Sequence, residues 1–258
     1  MTTLTRAVTD TKTMTKRNLL KSFGSPDTLI ENAISPVLTL MIFVFVLGGA
    51  MDMGDSSMSY VNYIVPGVIV LCIGQCSTAT AVSVSLDIAK GIIDRFRSMP
   101  IAKSSVLTGR VIEAVLRTML TVILVFVIAL AVGFRPVAGI GGWAAAMAVL
   151  FLFSLTINWI AVAFGLLVKS PEGAGVFTMF VLLFAYLSAG FIPTASLPKV
   201  LRLFAENQPL TQVIDAVRAL LLNDPPGNSL FLAVIWCAAL LIGAFVLAMQ
   251  IYQKKLAR

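Results

Sequence analysis

The chain has 258 residues, of which 59% are hydrophobic and 12% are charged, and its mean hydropathy is +0.97. A water-soluble core of this size does not require so much apolar sequence, so the composition excludes an ordinary soluble domain. The formal net charge is +7 and histidine is absent, which removes most histidine-based hydrolytic and metal chemistry.

Long runs without charged residues recur along the chain, and a bilayer crossing takes about 17 to 25 such residues. Backbone groups in hydrocarbon must be paired within their own segment, and the alternating pattern of a membrane barrel is absent. The sequence therefore predicts an all-α polytopic membrane protein with six transmembrane helices. These spans are expected in one transmembrane domain, residues 1–258, at positions 29–50, 61–85, 111–134, 143–168, 174–192 and 229–252.

The basic residues predict the orientation of these spans. Fourteen of the 19 lysine and arginine residues lie in the N-terminal segment, in the connections after spans two and four, or in the C-terminal tail. Basic residues favour the cytoplasmic side of a membrane. Both termini are therefore expected in the cytoplasm, and the protein is expected in the plasma membrane of a bacterial cell. The net positive charge is then explained by this orientation and by attraction to anionic lipid headgroups. No nucleic-acid-binding motif accompanies the basic residues, so nucleic acid is not expected as a partner.

Residues 1–25 are too polar for a secretory signal and carry an imperfect apolar stripe. An interfacial helix along the membrane surface is expected there. A turn at residues 24–27 follows, and Pro36 is expected to kink the first span. The second span has a polar second half that contains Gln75, Thr78 and Ser83. These side chains either pack against another helix or line a polar path, and the sequence leaves both interpretations open.

The connection after span two is the one long polar insert between two apolar runs. At helical spacing Ile88, Ile92, Phe96 and Met99 share one face, and a charged face lies opposite. Asp87 is expected to cap this helix and Pro100 to end it, so the predicted amphipathic helix covers residues 86–100. Such a helix lies on the membrane or docks into a partner, and an ordered apolar face favours docking.

Later spans carry isolated polar and aromatic side chains. Glu113 and Arg117 have the i, i+4 spacing of a helical ion pair, and a snorkelling Arg117 is the alternative. Asn158 is expected to bond another helix. The three cysteines, all within predicted spans, are expected to be small buried side chains. Between spans five and six, residues 193–222 are too apolar for a free loop, so two short helices dipping into the outer leaflet are expected.

Four stretches together resemble the permease subunits of the ABC-2 transporter family, of the daunorubicin/doxorubicin-resistance type. They are residues 26–49, Pro66-Gly67, residues 91–110 and residues 186–221. The resemblance implies a homodimer or pseudodimer of six-helix halves. Each half would dock one of two ATP-binding cassette ATPase subunits through the helix at residues 86–100, which the resemblance implies is the coupling helix. Residues 193–222 would form re-entrant helices on the outer side.

The resemblance and the residue patterns together define three candidate sites. The ATPase-coupling interface would comprise Asp87, Ile88, Gly91, Ile92, Asp94, Arg95, Phe96, Arg97, Met99 and Pro100. The substrate pathway would comprise Gln75, Thr78, Ser83, Phe177, Phe180 and Phe184. The outer gate would comprise Pro193, Pro198, Phe204 and Pro209.

The chain has no phosphate-binding GxxxxGK[ST] motif, so ATP and magnesium are expected on the partner subunit and no cofactor or metal on this chain. The expected function is ATP-driven export of hydrophobic or amphipathic small molecules. The alternative is export of a lipid, a polyketide lipid or a lipid-linked glycan. An intramembrane enzyme would need a catalytic constellation and a channel would need a filter or charged ring, and the sequence shows neither.

Overall fold

The computed structural model describes residues 3–24, 26–46, 48, 60–91, 103–188, 190–191 and 198–256. Within these ranges the regular structure is helical, and no strand is present. The helices are α1 (Thr3–Phe23), α2 (Pro26–Met41), α3 (Tyr60–Ala89), α4 (Lys103–Val132), α5 (Ile140–Leu167), α6 (Pro171–Gly175), α7 (Phe177–Tyr186), α8 (Lys199–Asn207), α9 (Pro209–Leu222) and α10 (Ser229–Leu256).

Four of the described helices, α3, α4, α5 and α10, are long and apolar enough to cross a membrane. Each has 28 to 30 residues, which corresponds to at least about 42 Å of helix against a hydrocarbon core of about 30 Å. They occupy the regions where the sequence predicts spans two, three, four and six. The all-helical, multi-pass part of the fold prediction is therefore confirmed.

The regions predicted as spans one and five contain shorter apolar helices. Helix α2 includes Pro36 and continues into a π-helical turn, Ile42–Val46. The predicted fifth span is divided, because α6 ends at Gly175 and α7 begins at Phe177. Helix α7 has ten residues and is about 15 Å long, so it reaches only halfway across a bilayer by itself.

Helix α3 lies at the centre of the fold and contacts α2, α4, α5, α6, α7 and α9. Two glycines permit this close packing. A Cβ atom on Gly67 would lie 3.1 Å from the carbonyl oxygen of Gly190, and a Cβ on Gly74 would collide with the Val181 side chain. Small residues at helix contacts are the usual way for membrane helices to approach closely.

Helix α1, predicted to lie along the membrane surface, packs against α4. A Cβ atom on Gly109 would lie 2.8 Å from Cβ of Met14, so the two helices touch at this point. Exposed apolar side chains remain on α1, with Val8 67% and Leu20 66% exposed. One side of α1 therefore packs against the protein, and exposed apolar side chains on the helix are suited to contact with lipid.

The end of α3 corrects the prediction for Asp87. Helix α3 continues to Ala89, and Gly91 adopts the left-handed conformation (φ 65°) common just beyond a helix end. Asp87 therefore lies in the last turn of α3 and does not cap a new helix. Helix α4 begins at Lys103 instead of the expected residue 111, which shortens the connection. Outside the described residues lie Ile92, Asp94, Arg95, Phe96, Arg97, Met99, Pro100 and Pro193.

Candidate functional site

A cavity of about 290 Å³ lies between α3, α5, α7, α9 and α10. Its wall is almost wholly apolar, and the Thr156 hydroxyl in it donates to the carbonyls of Leu152 (2.9 Å) and Cys237 (3.1 Å). An apolar wall whose hydroxyl is already bonded suits a hydrocarbon or aromatic group better than a charged one. The lining residues are Val70, Gly74, Phe153, Thr156, Ile157, Ile160, Phe177, Phe180, Val181, Phe184, Pro209, Leu210, Cys237 and Leu240.

Helix α7 contributes the aromatic part of this wall. Phe177, Phe180 and Phe184 recur at helical spacing and all line the cavity. Phe177 is buried, whereas Phe180 is 48% and Phe184 39% exposed. The ring of Phe164 on α5 lies 5.4 Å from that of Phe177 and 6.0 Å from that of Phe180, centroid to centroid. The three aromatic residues expected in the substrate pathway therefore meet at one cavity.

The three polar residues expected in the same pathway do not line this cavity. The Thr78 hydroxyl accepts a hydrogen bond of 3.0 Å from Thr178, which ties α3 to α7. Ser83 is half-buried, and the Oε1 atom of Gln75 is buried without a hydrogen-bond partner among the described residues. Of the two interpretations of this polar stretch, the contact of Thr78 fits packing between helices.

The turn between α8 and α9 lies against the end of α7. The Phe204 ring is 6.0 Å from the Phe184 ring, and Gln208 Nε2 donates to the Phe184 carbonyl at 3.1 Å. Pro209 opens α9 and lines the cavity, whereas Pro198 is exposed just before α8. Two of the expected gate residues thus lie beside the cavity. Gln208 was not expected, because a lone glutamine in a turn has no distinctive sequence signal.

Helix α9 is held to α3 by an arginine. The Arg218 guanidinium lies 4.2 Å from the centroid of the Tyr63 ring and donates to the Tyr63 carbonyl at 3.2 Å. Arg218 also pairs with Asp215 at 2.8 Å. The Asp215 side chain is 37% exposed; its partial burial raises the pKa of the carboxyl, and the Arg218 charge opposes this shift. Helix α9, which lines the cavity, is therefore fixed to α3 by hydrogen bonds and a cation–π contact from Arg218.

A polar cluster lies where α1, α3 and α4 meet. Asp87 and Arg110 form an ion pair, and Glu113, only 2% exposed, pairs with Arg117 at 3.3 Å. The Glu113–Arg117 pair confirms the i, i+4 prediction. Ser22 on α1 also donates to Glu113 at 2.7 Å. The contact between Asp87 and Arg110 joins residues on either side of the charged connection and was not predicted.

A fully buried hydrogen bond joins α3 to α5. The Thr80 hydroxyl on α3 donates to Asn158 Oδ1 on α5 at 2.8 Å, and both residues are fully buried. Asn158 Nδ2 donates to the Ser154 carbonyl at 2.8 Å within its own helix. The prediction that Asn158 bonds another helix is confirmed.

All three cysteines are buried free thiols, and within the described ranges no cluster of three metal-binding side chains occurs.

Long apolar helices around an apolar cavity define a helical multi-pass membrane protein. A model of the ABC-2 type transporter family matches residues 9–222, so the chain belongs to that family. It is also similar to the daunorubicin resistance ABC transporter permease protein DrrB1 of Streptomyces coeruleorubidus. The two are 29% identical over 252 residues, which cover 96% of this chain and 88% of the relative. The resemblance to ABC-2 permeases of the drug-resistance type is confirmed, and the chain is a transporter permease rather than a nucleotide-binding enzyme.

Proposed function

We propose that this chain is the membrane-spanning subunit of an ATP-driven exporter of hydrophobic or amphipathic small molecules. The observation that supports this substrate class is the cavity between α3, α5, α7, α9 and α10, whose wall offers aromatic and aliphatic contacts. A drug with a flat apolar body would bury that surface against Phe177, Phe180 and Phe184.

The functional unit would be a pair of permease chains with two ATPase subunits. In this arrangement each chain crosses the membrane six times with both termini in the cytoplasm. Helix α2 with its π-helical turn, and α6 with α7, would supply the two crossings beyond the four long helices. The second permease would be another copy of this chain or a homologous one. ATP and magnesium would bind to the ATPase subunits.

The segment 86–100 would transmit movement from the ATPase to the membrane. Asp87 and Ile88 lie in the last turn of α3 and Gly91 follows it, so this segment continues directly from the central helix. The ion pair between Asp87 and Arg110 supports the proposal, since it holds the last turn of α3 against the first turns of α4, which flank the connection. The anchors Phe96 and Ile92 and the charged residues Asp94, Arg95 and Arg97 would form the contact itself.

Residues 193–222 would act as the outer gate. Phe204 and Pro209 support this role because they lie at the end of α7 beside the cavity. A shift of α8 relative to α7 would move Phe204 from Phe184 and break the hydrogen bond from Gln208. Opening the gate would therefore require only local contacts to change.

A second candidate function is export of a lipid, a polyketide lipid or a lipid-linked glycan. The almost wholly apolar wall favours it, since an acyl chain would fit such a cavity as well as an aromatic drug. The two functions differ in the part of the ligand that the cavity selects. Flat aromatic ligands would depend on the phenylalanine rings of α7, whereas flexible chains would depend on volume alone.

Ligand-stimulated ATP hydrolysis by the chain reconstituted with its ATPase partner tests the proposal. We expect Phe180→Ala to reduce stimulation by an anthracycline severalfold while basal hydrolysis persists. Phe151→Ala is the matched control, since Phe151 is also 48% exposed but does not line the cavity. Equal stimulation in wild type and both variants would contradict the aromatic site. Stimulation by lipid but not by anthracyclines would select the second function.

A further inference from the structure

A second opening lies away from the cavity, between α1 and the first turns of α4. It is an open groove of about 710 Å³. Val8 and Leu19 of α1 and Ile112 of α4 provide apolar walls, and Lys12 and Lys16 lie along it. A groove with hydrocarbon walls and a cationic edge differs in character from the cavity described above, whose wall has no charged residue.

The two lysines are one helical turn apart and both are exposed. None of the ion pairs in the described part of the chain includes Lys12 or Lys16. Like charges at i, i+4 repel each other on a helix, so this arrangement costs some stability by itself. An anion held between the two ammonium groups would remove that cost.

The position of the groove places it at a membrane surface. Helix α4 is one of the four helices long and apolar enough to span, and α1 packs against its first turns through Met14 and Gly109. Val8 and Leu20 on α1 are exposed apolar side chains suited to contact with lipid. With α4 spanning the bilayer, the groove would open where the acyl chains and headgroups of one leaflet meet.

We propose that this groove binds an anionic phospholipid. The phosphate group contacts the ammonium groups of Lys12 and Lys16, and an acyl chain lies along Val8, Leu19 and Ile112. Charge complementarity selects an anionic headgroup over a zwitterionic one. The apolar walls select a lipid over free phosphate or an acidic peptide, since neither of these would cover the hydrocarbon surface.

The test adds phosphatidylglycerol to the full chain in detergent and follows the melting temperature and the lipid retained in native mass spectrometry. Phosphatidylcholine and inorganic phosphate are the comparison probes. We expect phosphatidylglycerol alone to raise the melting temperature. The double variant Lys12→Gln, Lys16→Gln should bind it roughly 10- to 30-fold more weakly, because each cation contributes separately to attraction of anionic lipid.

The matched control is Lys169→Gln with Lys254→Gln, which removes two exposed lysines elsewhere. A third variant, Ile112→Trp, fills the groove and leaves both lysines, and it should also weaken lipid retention. Equal retention by wild type and the Lys12, Lys16 variant would overturn the proposal. So would equal stabilisation by inorganic phosphate, or retention of phosphatidylcholine as strong as that of phosphatidylglycerol.

Discussion

Arg110 and Asp87 form an ion pair between the first turns of α4 and the last turn of α3. The two side chains are 10% and 25% exposed, so water screens the pair only in part. Residues 92–102 connect these two helices outside the described ranges. The ion pair therefore closes the base of the connection that we propose contacts the ATPase.

Arg110→Ala should lower the free energy of unfolding by about 1.5 to 3 kcal/mol, the usual contribution of a hydrogen bond to a charged group. We also expect weaker ATPase association, because the ends of the connection would separate. The double variant Asp87→Arg, Arg110→Asp should recover both properties in part. Thermal unfolding and co-purification with the ATPase measure them. No recovery in the exchanged pair would show that the two residues act independently.

Removing Arg117, the partner of Glu113, should lower the free energy of unfolding more than removing Arg110 does. Arg117→Leu leaves a carboxylate that is 2% exposed and that, among the described residues, keeps a hydrogen bond from the Ser22 hydroxyl. Breaking a buried ion pair from one side costs roughly 3 to 5 kcal/mol, whereas replacing both partners is much milder. The double variant Glu113→Leu, Arg117→Leu should therefore be more stable than Arg117→Leu in thermal unfolding. Additive losses would contradict a coupled pair.

The hydrogen bond from Thr80 to Asn158 should make a modest contribution. Such bonds between membrane helices average about 0.6 kcal/mol and reach about 1.7 kcal/mol. Thr80→Val removes the donor and keeps the side-chain shape, so a double-mutant cycle with Asn158→Leu isolates the interaction. Thr39→Val is a useful control, since the Thr39 hydroxyl donates to the Ser35 carbonyl of its own helix. A coupling energy near zero would argue against a structural role.

Asp215 should make stability depend on pH. Burial raises the pKa of its carboxyl above the ordinary 3.8, so the folded chain favours the protonated form more than the unfolded chain does. This stabilisation is complete below pH 3.8 and is lost as the pH rises through the raised pKa. Asp215→Asn should therefore flatten the pH dependence of the melting temperature across that range. Asp224→Asn, the same change at an exposed site, is the control.

A profile for Asp215→Asn that still matches the wild type would assign the pH dependence to other groups. A lower melting temperature of this variant at neutral pH would show that pairing with Arg218 outweighs the cost of burial. Arg218→Gln separates these two effects, because it removes the charge that lowers the pKa of Asp215.

The sequence alone predicted the features that depend on neighbouring residues. Uncharged runs indicated α3, α4, α5 and α10, since an apolar helix pairs its own backbone groups without help from the rest of the chain. The i, i+4 spacing along one helix was sufficient to predict the contact between Glu113 and Arg117. It was also sufficient to place Phe177, Phe180 and Phe184 on one face.

Only the tertiary structure decided which faces meet. Helical periodicity identifies a face but not its neighbour, so the sequence could not show that the phenylalanines of α7 meet α5, α9 and α10 while Thr78 contacts α7. The pairing of Arg110 with Asp87 depends on where α3 ends, and α3 continues through the residue that looked like a helix start. The rotation and ends of helices are set by packing between segments distant in the chain, and periodicity in one segment does not contain that information.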